Sequence, residues 1–127
     1  MEVSGIPKVI WFELNADEPK RAMEFYAKVF GWKFEKYQDQ EYWLVRGGEK
    51  EEPGIDGAIQ PRRTKSAPVV NTISVPKIDE TIKKIEKNGG KVVVPKMEIP
   101  MMGALAYFVD TEGNTHGIMQ VAPQMKK

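Results

Sequence analysis

Residues 9–60 and 68–119 repeat one pattern, a strand, an amphipathic helix and three more strands, and a constant offset holds the two copies in register. Gly31 and Gly90 close the two helical patterns, and Lys28 and Lys87 stand shortly before them. Gly54 and Gly113 open the last turns, Ile59 and Ile118 lie in the last strands, and the members of each pair are 59 residues apart. An ungapped offset that aligns helical patterns as well as identities marks an internal duplication. A βαβββ unit covers one face of its sheet with its own helix and leaves the other face in need of a partner. The expected fold is therefore α+β, two tandem βαβββ modules forming a cup-shaped mixed sheet with the helices outside. Function is to be sought where the copies meet.

Along the chain, Val9 to Leu14 is rich in β-branched and aromatic residues and reads as the first strand. Asp17 is the expected N-cap of the first helix, with Pro19 in its first turn. Ala22, Phe25, Tyr26, Val29 and Phe30 then supply the stripe of a helix laid on a sheet. Trp32–Tyr37 and Tyr42–Arg46 read as a hairpin, and Ile55–Gln60 as a short strand. Module one thus spans 7–60, a polar linker 61–68, and module two 69–121, within a single domain of 1–127. In module two, Val69–Val75 is a strand, and Ile78, Ile82 and Ile85 mark a helix that Asn88-Gly89-Gly90 ends. Lys91–Pro95, Gly103–Val109 and His116–Val121 are strands, the last preceded by a turn at Asp110–Asn114. The tail from Ala122 is expected to be loose.

Composition narrows the function classes. Lys and Arg number 19 against 18 Asp and Glu, so no strong field draws the protein to nucleic acid. The absence of cysteine removes disulfides, thiolate metal sites and Cys nucleophiles. No apolar run reaches membrane-spanning length and no leader pattern opens the chain, so the expected location is cytoplasmic, without membrane partners. The paired glycines at 47–48 and 89–90 lack the context of a phosphate loop, and no GxSxG accompanies the one histidine, His116.

The order of elements, the segment Phe12-Glu13-Leu14-Asn15-Ala16-Asp17-Glu18-Pro19 continuing to Phe25-Tyr26, and the closing Tyr107-Phe108-Val109-Asp110-Thr111-Glu112-Gly113-Asn114 resemble the vicinal oxygen chelate superfamily. That group includes glyoxalase I, bleomycin-resistance proteins and extradiol dioxygenases, and it spans lyases, isomerases, dioxygenases and metal-free binders. The resemblance implies a homodimer and, in metal-dependent members, one divalent ion held by His and Glu or Gln from the first and last strands of each module. Those positions fall here on Trp11, Ala58, Val70 and Gly117, none of which ligates a metal. One histidine in the whole chain also falls short of the imidazoles such sites use. No cofactor is expected. A divalent metal stays open only through noncanonical ligands such as His116, which strand alternation turns away from the cup if Gly117 points inward.

The same alternation turns Val9, Trp11 and Glu13 inward. Trp11 could stack on a planar ligand while Glu13 accepts its hydrogen bonds or acts as a base; alternatively Trp11 is core and Glu13 is paired with an arginine or sits at the solvated rim. Val70, Thr72 and Ser74, with Asp56, Ala58 and Gln60, share that face, Asp56 as a second candidate carboxylate and Ser74 and Gln60 as polar rim. Tyr42, Trp43 and Arg46 on one hairpin, and Met101, Met102 and Tyr107 on its counterpart, would wall the cup or meet a second subunit. Ile99–Gly103 reads either as a mobile lip or as a plain connection. The favoured function is a metal-independent binder of a small molecule contacting Trp11, Glu13, Asp56, Thr72 and Tyr107. The alternatives are an enzyme of the same superfamily, a lyase, isomerase or dioxygenase, with Glu13 or Asp56 as the acid or base or with a metal recruited through noncanonical ligands, and a structural or regulatory module whose cup is filled by its own side chains or by its partner.

Overall fold

A computed structural model describes residues 6–62 and 67–122. The elements run β1 (Lys8–Ala16), α1 (Pro19–Phe30), β2 (Lys33–Lys36), β3 (Trp43–Arg46), β4 (Gly57–Pro61), β5 (Val69–Ser74), α2 (Ile78–Lys87), β6 (Lys91–Ile99), β7 (Gly103–Val109) and β8 (Thr115–Val121). This is βαβββ twice, the α+β architecture that the repeat implies. The centre of the linker, 63–66, and the tail beyond Ala122 lie outside the described residues. The chain divides into two compact units, residues 11–70 and residues 1–10 with 71–127.

In the unit of residues 11–70 the strand order is β2-β3-β4-β1, with β1 and β4 parallel and the other pairs antiparallel. Gly57 is required where β4 meets β1, because a Cβ there would lie 2.4 Å from the Phe12 carbonyl oxygen. Helix α1 departs from expectation at both its start and its face. Its N-cap is Glu18 without a side-chain cap bond, while Asp17 accepts a hydrogen bond from Arg62 Nε at 3.0 Å. Phe25, Val29 and Phe30 are 58%, 55% and 61% exposed. Tyr26 does the packing instead, stacked on Trp32 at 5.0 Å, and Trp32 in turn lies 6.0 Å from Phe12. Phe25 and Val29 sit roughly 60–100° around the helix from Tyr26, at about 100° per residue, so both flank the buried direction.

The unit containing residues 71–127 has the order β5-β8-β7-β6 and an aliphatic core. Val75, Ile78, Ala104, Ala106 and Ile118 are buried there, with Ile73, Ile82, Ile85 and Phe108 packed against them. The α2 stripe read from the sequence therefore covers its sheet. Pro95 does not end β6, which continues to Ile99 through irregular register between Val92 and Met97. Edge strands tolerate a proline at such irregularities because no partner needs its missing N–H.

The duplication is exact in topology and inexact in register. Ile59 pairs with Trp43, whereas its mate Ile118 pairs with Ala106. The counterpart of Tyr42 is therefore Leu105, and Met101, at φ 68° and 73% exposed, forms a turn before β7. The helix stops differ as well. Gly31 takes the left-handed conformation at φ 74°, but in the second copy Gly89 does so at φ 97°, while Gly90 is needed because a Cβ would meet Ile85 Cγ2 at 2.7 Å.

The two kinds of glycine should separate on unfolding in denaturant. Gly31→Ala, with open space around the site, should cost about 1–2 kcal/mol from the left-handed backbone alone. Gly103→Ala should cost clearly more, since its Cβ would lie 2.0 Å from the Gln120 carbonyl oxygen.

The Asp110–Asn114 turn is tied by the Asp110 carboxylate, which accepts the backbone N–H groups of Glu112 at 2.8 Å and Asn114 at 2.9 Å. The bonds from Asn114 and then Glu112 hold its pKa below the ordinary aspartate value. A depressed carboxylate pKa stabilises the fold above the unfolded-state value, and that contribution is lost as pH falls through the folded-state value. Asp110→Ala should lower the melting temperature at neutral pH, and the gap to the parent protein should close in strong acid.

Candidate functional site

The parallel register of β1 and β4 pairs Glu13 with Ala58 and Asn15 with Gln60, so these four side chains share one face. Tyr42, just before β3, continues the antiparallel ladder opposite Gln60 on that face. Phe12, packed against Trp32, points the other way, toward α1. Alternation thus carries Trp11, Glu13 and Asn15 to the face opposite the helix, as the sequence implies.

A continuous hydrogen-bonded chain runs across this face. Trp11 Nε1–H donates to the Tyr42 hydroxyl at 3.1 Å, and that hydroxyl donates to Glu13 Oε2 at 2.7 Å. Gln60 Nε2 donates to Asn15 Oδ1 at 3.0 Å and, more weakly, to Glu13 Oε1 at 3.5 Å. Asn15 Nδ2 donates to the Ala67 carbonyl. Glu13 is only 4% exposed and Gln60 8%. A carboxyl buried to this degree needs hydrogen-bond partners, and both of its oxygens accept here.

Two residues of this chain are undervalued by the sequence reading, which gives Tyr42 only as a wall of the cup or a subunit contact. Tyr42 is the hinge that joins Trp11 to Glu13, and only correct pairing of β3 with β4 reveals it. Gln60, read as polar rim, is buried and bridges Glu13 and Asn15. Asp56 is placed elsewhere: its carboxylate lies 3.3 Å from Arg46 Nη1, with a side chain 43% exposed. It takes no part in the hydrogen bonds linking Trp11, Tyr42, Glu13, Gln60 and Asn15. Ser74, as expected of a strand end, makes a long bond of 3.4 Å to the Lys8 carbonyl.

In the other unit, Thr72 is buried at 2% exposure and pairs in register with Gly117, which pairs with Tyr107. A Cβ on Gly117 would come within 3.2 Å of Thr72 Oγ1 and 3.3 Å of Tyr107 Cε1. These three residues form a small patch on the face opposite α2. His116 lies on the α2 side with Ile118, its ring 5.8 Å from Phe108 and its Nδ1 buried without a hydrogen-bond partner.

Two open clefts lie away from Glu13. One of about 400 Å³ is lined by Asn15, Arg21, Phe25, Tyr26 and Arg62 among others. The other, of about 250 Å³, contains Lys96 between Asp79 and Glu98, at 3.1 and 3.7 Å. The hydrogen bond to Asp79 leads the effects that raise the Lys96 pKa above the ordinary lysine value.

The sequence profile of the Glyoxalase/Bleomycin resistance protein/Dioxygenase superfamily matches residues 8–118, and the chain belongs to that superfamily. A glyoxylase-like domain-containing protein of Didymella fabae is 29% identical over 125 residues, covering 92% of this chain and 91% of its own. The putative glyoxylase CFP32 of Mycobacterium bovis is 29% identical over 124 residues, covering 91% of this chain, which spans 45% of that relative. A crystal structure of a glyoxalase/bleomycin resistance protein/dioxygenase superfamily member from Vibrio splendidus has a TM-score of 0.63 at 12% identity, covering 92% of this chain and all of the other, a likeness of fold.

The donor set does not fit the divalent ion of the family's metal-dependent members. Ala58 and Val70 are buried aliphatic residues, Gly117 has no side chain and Trp11 commits its N–H to Tyr42. Among the described residues, no three His, Asp or Glu side chains gather as a metal site would require. No helix among them is long and apolar enough to cross a membrane.

Tyr42→Phe should destabilise the protein by about 1–3 kcal/mol, because it removes a donor from a buried carboxyl and an acceptor from Trp11. Asp56→Ala, breaking an exposed ion pair, should cost less than about 1 kcal/mol. Urea unfolding of the two variants beside the parent protein checks the contrast.

Proposed function

We propose that this protein is a metal-independent, small-molecule binding member of its superfamily. The observation that carries the reading is the buried Glu13, fixed by Tyr42 and flanked by the indole of Trp11. Burying a polar chain of this length is expensive unless every member is satisfied, and such networks fix side chains in one orientation. A rigid indole beside an oriented carboxyl suits recognition of a planar molecule with polar substituents. Thr72, Gly117 and Tyr107 offer a patch where the glycine lets a hydroxyl and a phenol approach the strand closely. The reading includes a homodimeric, cytoplasmic protein.

The Tyr42–Glu13 bond of 2.7 Å favours one second reading, an enzyme in which Glu13 accepts a proton from the bound molecule without a metal. The glyoxylase names of the relatives fit that reading, although the residues here route no step through an ion.

Native mass spectrometry of protein purified from its source should show a dimer carrying a bound small molecule and no stoichiometric metal. Stoichiometric Ni, Zn, Mn or Fe would overturn the metal-independent reading. Trp11→Ala and Glu13→Ala should each weaken retention of the small molecule by about tenfold or more, as the loss of a central contact does.

A further inference from the structure

Of the four asparagines in the chain, Asn15, Asn71, Asn88 and Asn114, only Asn88 precedes a glycine. It stands just past the last residue of α2, and both Asn88 and Gly89 are exposed. In any asparagine the side-chain amide carbon can close a five-membered ring with the nitrogen of the next residue, and a glycine there carries no Cβ to hinder the closure. The hydrogen bonds at the end of α2 leave that nitrogen uncommitted. The Asn88 N–H donates to the Lys84 and Ile85 carbonyls at 3.0 and 3.2 Å, and the Gly90 N–H donates to the Ile85 carbonyl at 2.9 Å. Between them, the Gly89 N–H has no acceptor among the described residues. One contact restrains the side chain, the bond that Asn88 Nδ2 donates to the Lys84 carbonyl at 2.8 Å. An exposed hydrogen bond of this kind is a small barrier to rotation.

We propose that Asn88–Gly89 is a site of spontaneous covalent modification in the folded protein, and that the change loosens the end of α2. The Gly89 nitrogen bonds to Cγ of Asn88 while the Cγ–Nδ2 bond breaks, and the Gly89 amide proton leaves with Nδ2 as ammonia. Water then opens the succinimide at either carbonyl, giving aspartate or isoaspartate, and no oxidant or cofactor enters. Both products remove the Nδ2 donor from the Lys84 carbonyl and set a carboxylate at the C-terminal end of the helix, where the macrodipole is already negative. Lys84 and Lys87 in the last turn offset part of that charge. Isoaspartate adds a larger disturbance, because it inserts a methylene into the main chain just before Gly89 and Gly90. Gly90 has no slack to absorb it, since a Cβ there would lie 2.7 Å from Ile85 Cγ2 and 3.1 Å from the Val109 carbonyl oxygen. The next residue, Lys91, opens β6 opposite Val109. The displacement therefore acts directly against the seat of α2 on β6 and β7.

The test is incubation of the full chain in mildly alkaline buffer beside a peptide of residues 85–92. Mass spectrometry after digestion at glutamate follows each asparagine, and enzymatic methylation scores isoaspartate. Asn88 should convert at least about tenfold faster than Asn15, Asn71 and Asn114, whose following residues carry a Cβ. Its rate should lie within about tenfold of that in the peptide, the effect of one exposed hydrogen bond. The aged protein should melt at a lower temperature and exchange amide hydrogens faster over residues 85–92. Asn88→Gln, whose longer side chain closes a ring far more slowly, should accumulate no product there and keep its starting melting temperature over the same period. Fresh Asn88→Asp, which carries the charge without the extra methylene, should show only part of the loss. Asn88 unchanged in the folded chain while the peptide converts, or the other asparagines keeping pace with it, overturns the site. Conversion at Asn88 with melting and exchange unaltered, or equal ageing of Asn88→Gln, overturns the loosening of α2.

Discussion

The parallel pairing of β1 with β4 is the constraint on which the candidate site depends. Parallel strands cannot be joined by a tight turn, so α1 and the β2–β3 hairpin fill the connection between them. The register that results sets Glu13 beside Ala58 and Asn15 beside Gln60. It also brings the Phe12 carbonyl so close to Gly57 that no side chain fits there. A slip of one residue would turn Glu13 and Gln60 toward the aromatic cluster beneath α1 and bury two polar groups without partners. The glycine and the buried network therefore enforce the same register from opposite faces of the strand pair.

The two copies meet the same topological demand with different chemistry. The second unit packs isoleucines of α2 onto Ala104, Ala106 and Ile118, an arrangement in which branched side chains over alanines fill the space. The first relies on aromatic contact, with Tyr26 stacked on Trp32 at an interplanar angle of 13° and Phe12 tilted against the same ring. Because Trp32 comes from beyond the helix, it occupies volume that the helix stripe would otherwise fill. Phe25, Val29 and Phe30 are exposed as a consequence. Apolar periodicity measures the width of a stripe, and only packing decides which part of that width is covered.

The sequence therefore discloses the order of elements and the parity of the strands, both set by local periodicity. Trp11, Glu13 and Thr72 fall on the faces that parity assigns to them. What it conceals depends on pairing between distant segments. Tyr42 joins the site through a contact 31 residues from Trp11 in the chain. Asp56 shares parity with Ala58 yet stands before the strand begins, where Arg46 captures it on the surface. The repeat misleads where it looks simplest, because the nine-residue β6 and its irregularities displace β7 relative to β3. That displacement replaces Met101 with Leu105 as the counterpart of Tyr42.

With the register corrected, the repeat shows where polar chemistry has gathered. Glu13 corresponds to Thr72, Asn15 to Ser74, Gln60 to Met119 and Tyr42 to Leu105. In each pair the first copy carries the larger hydrogen-bonding group and the second a smaller or apolar one. A symmetric ion site would need equivalent ligands from both copies, and the equivalent positions Trp11 with Val70 and Ala58 with Gly117 supply none. The duplication has kept its strands and helices while the larger hydrogen-bonding side chains at these positions stand in the first copy.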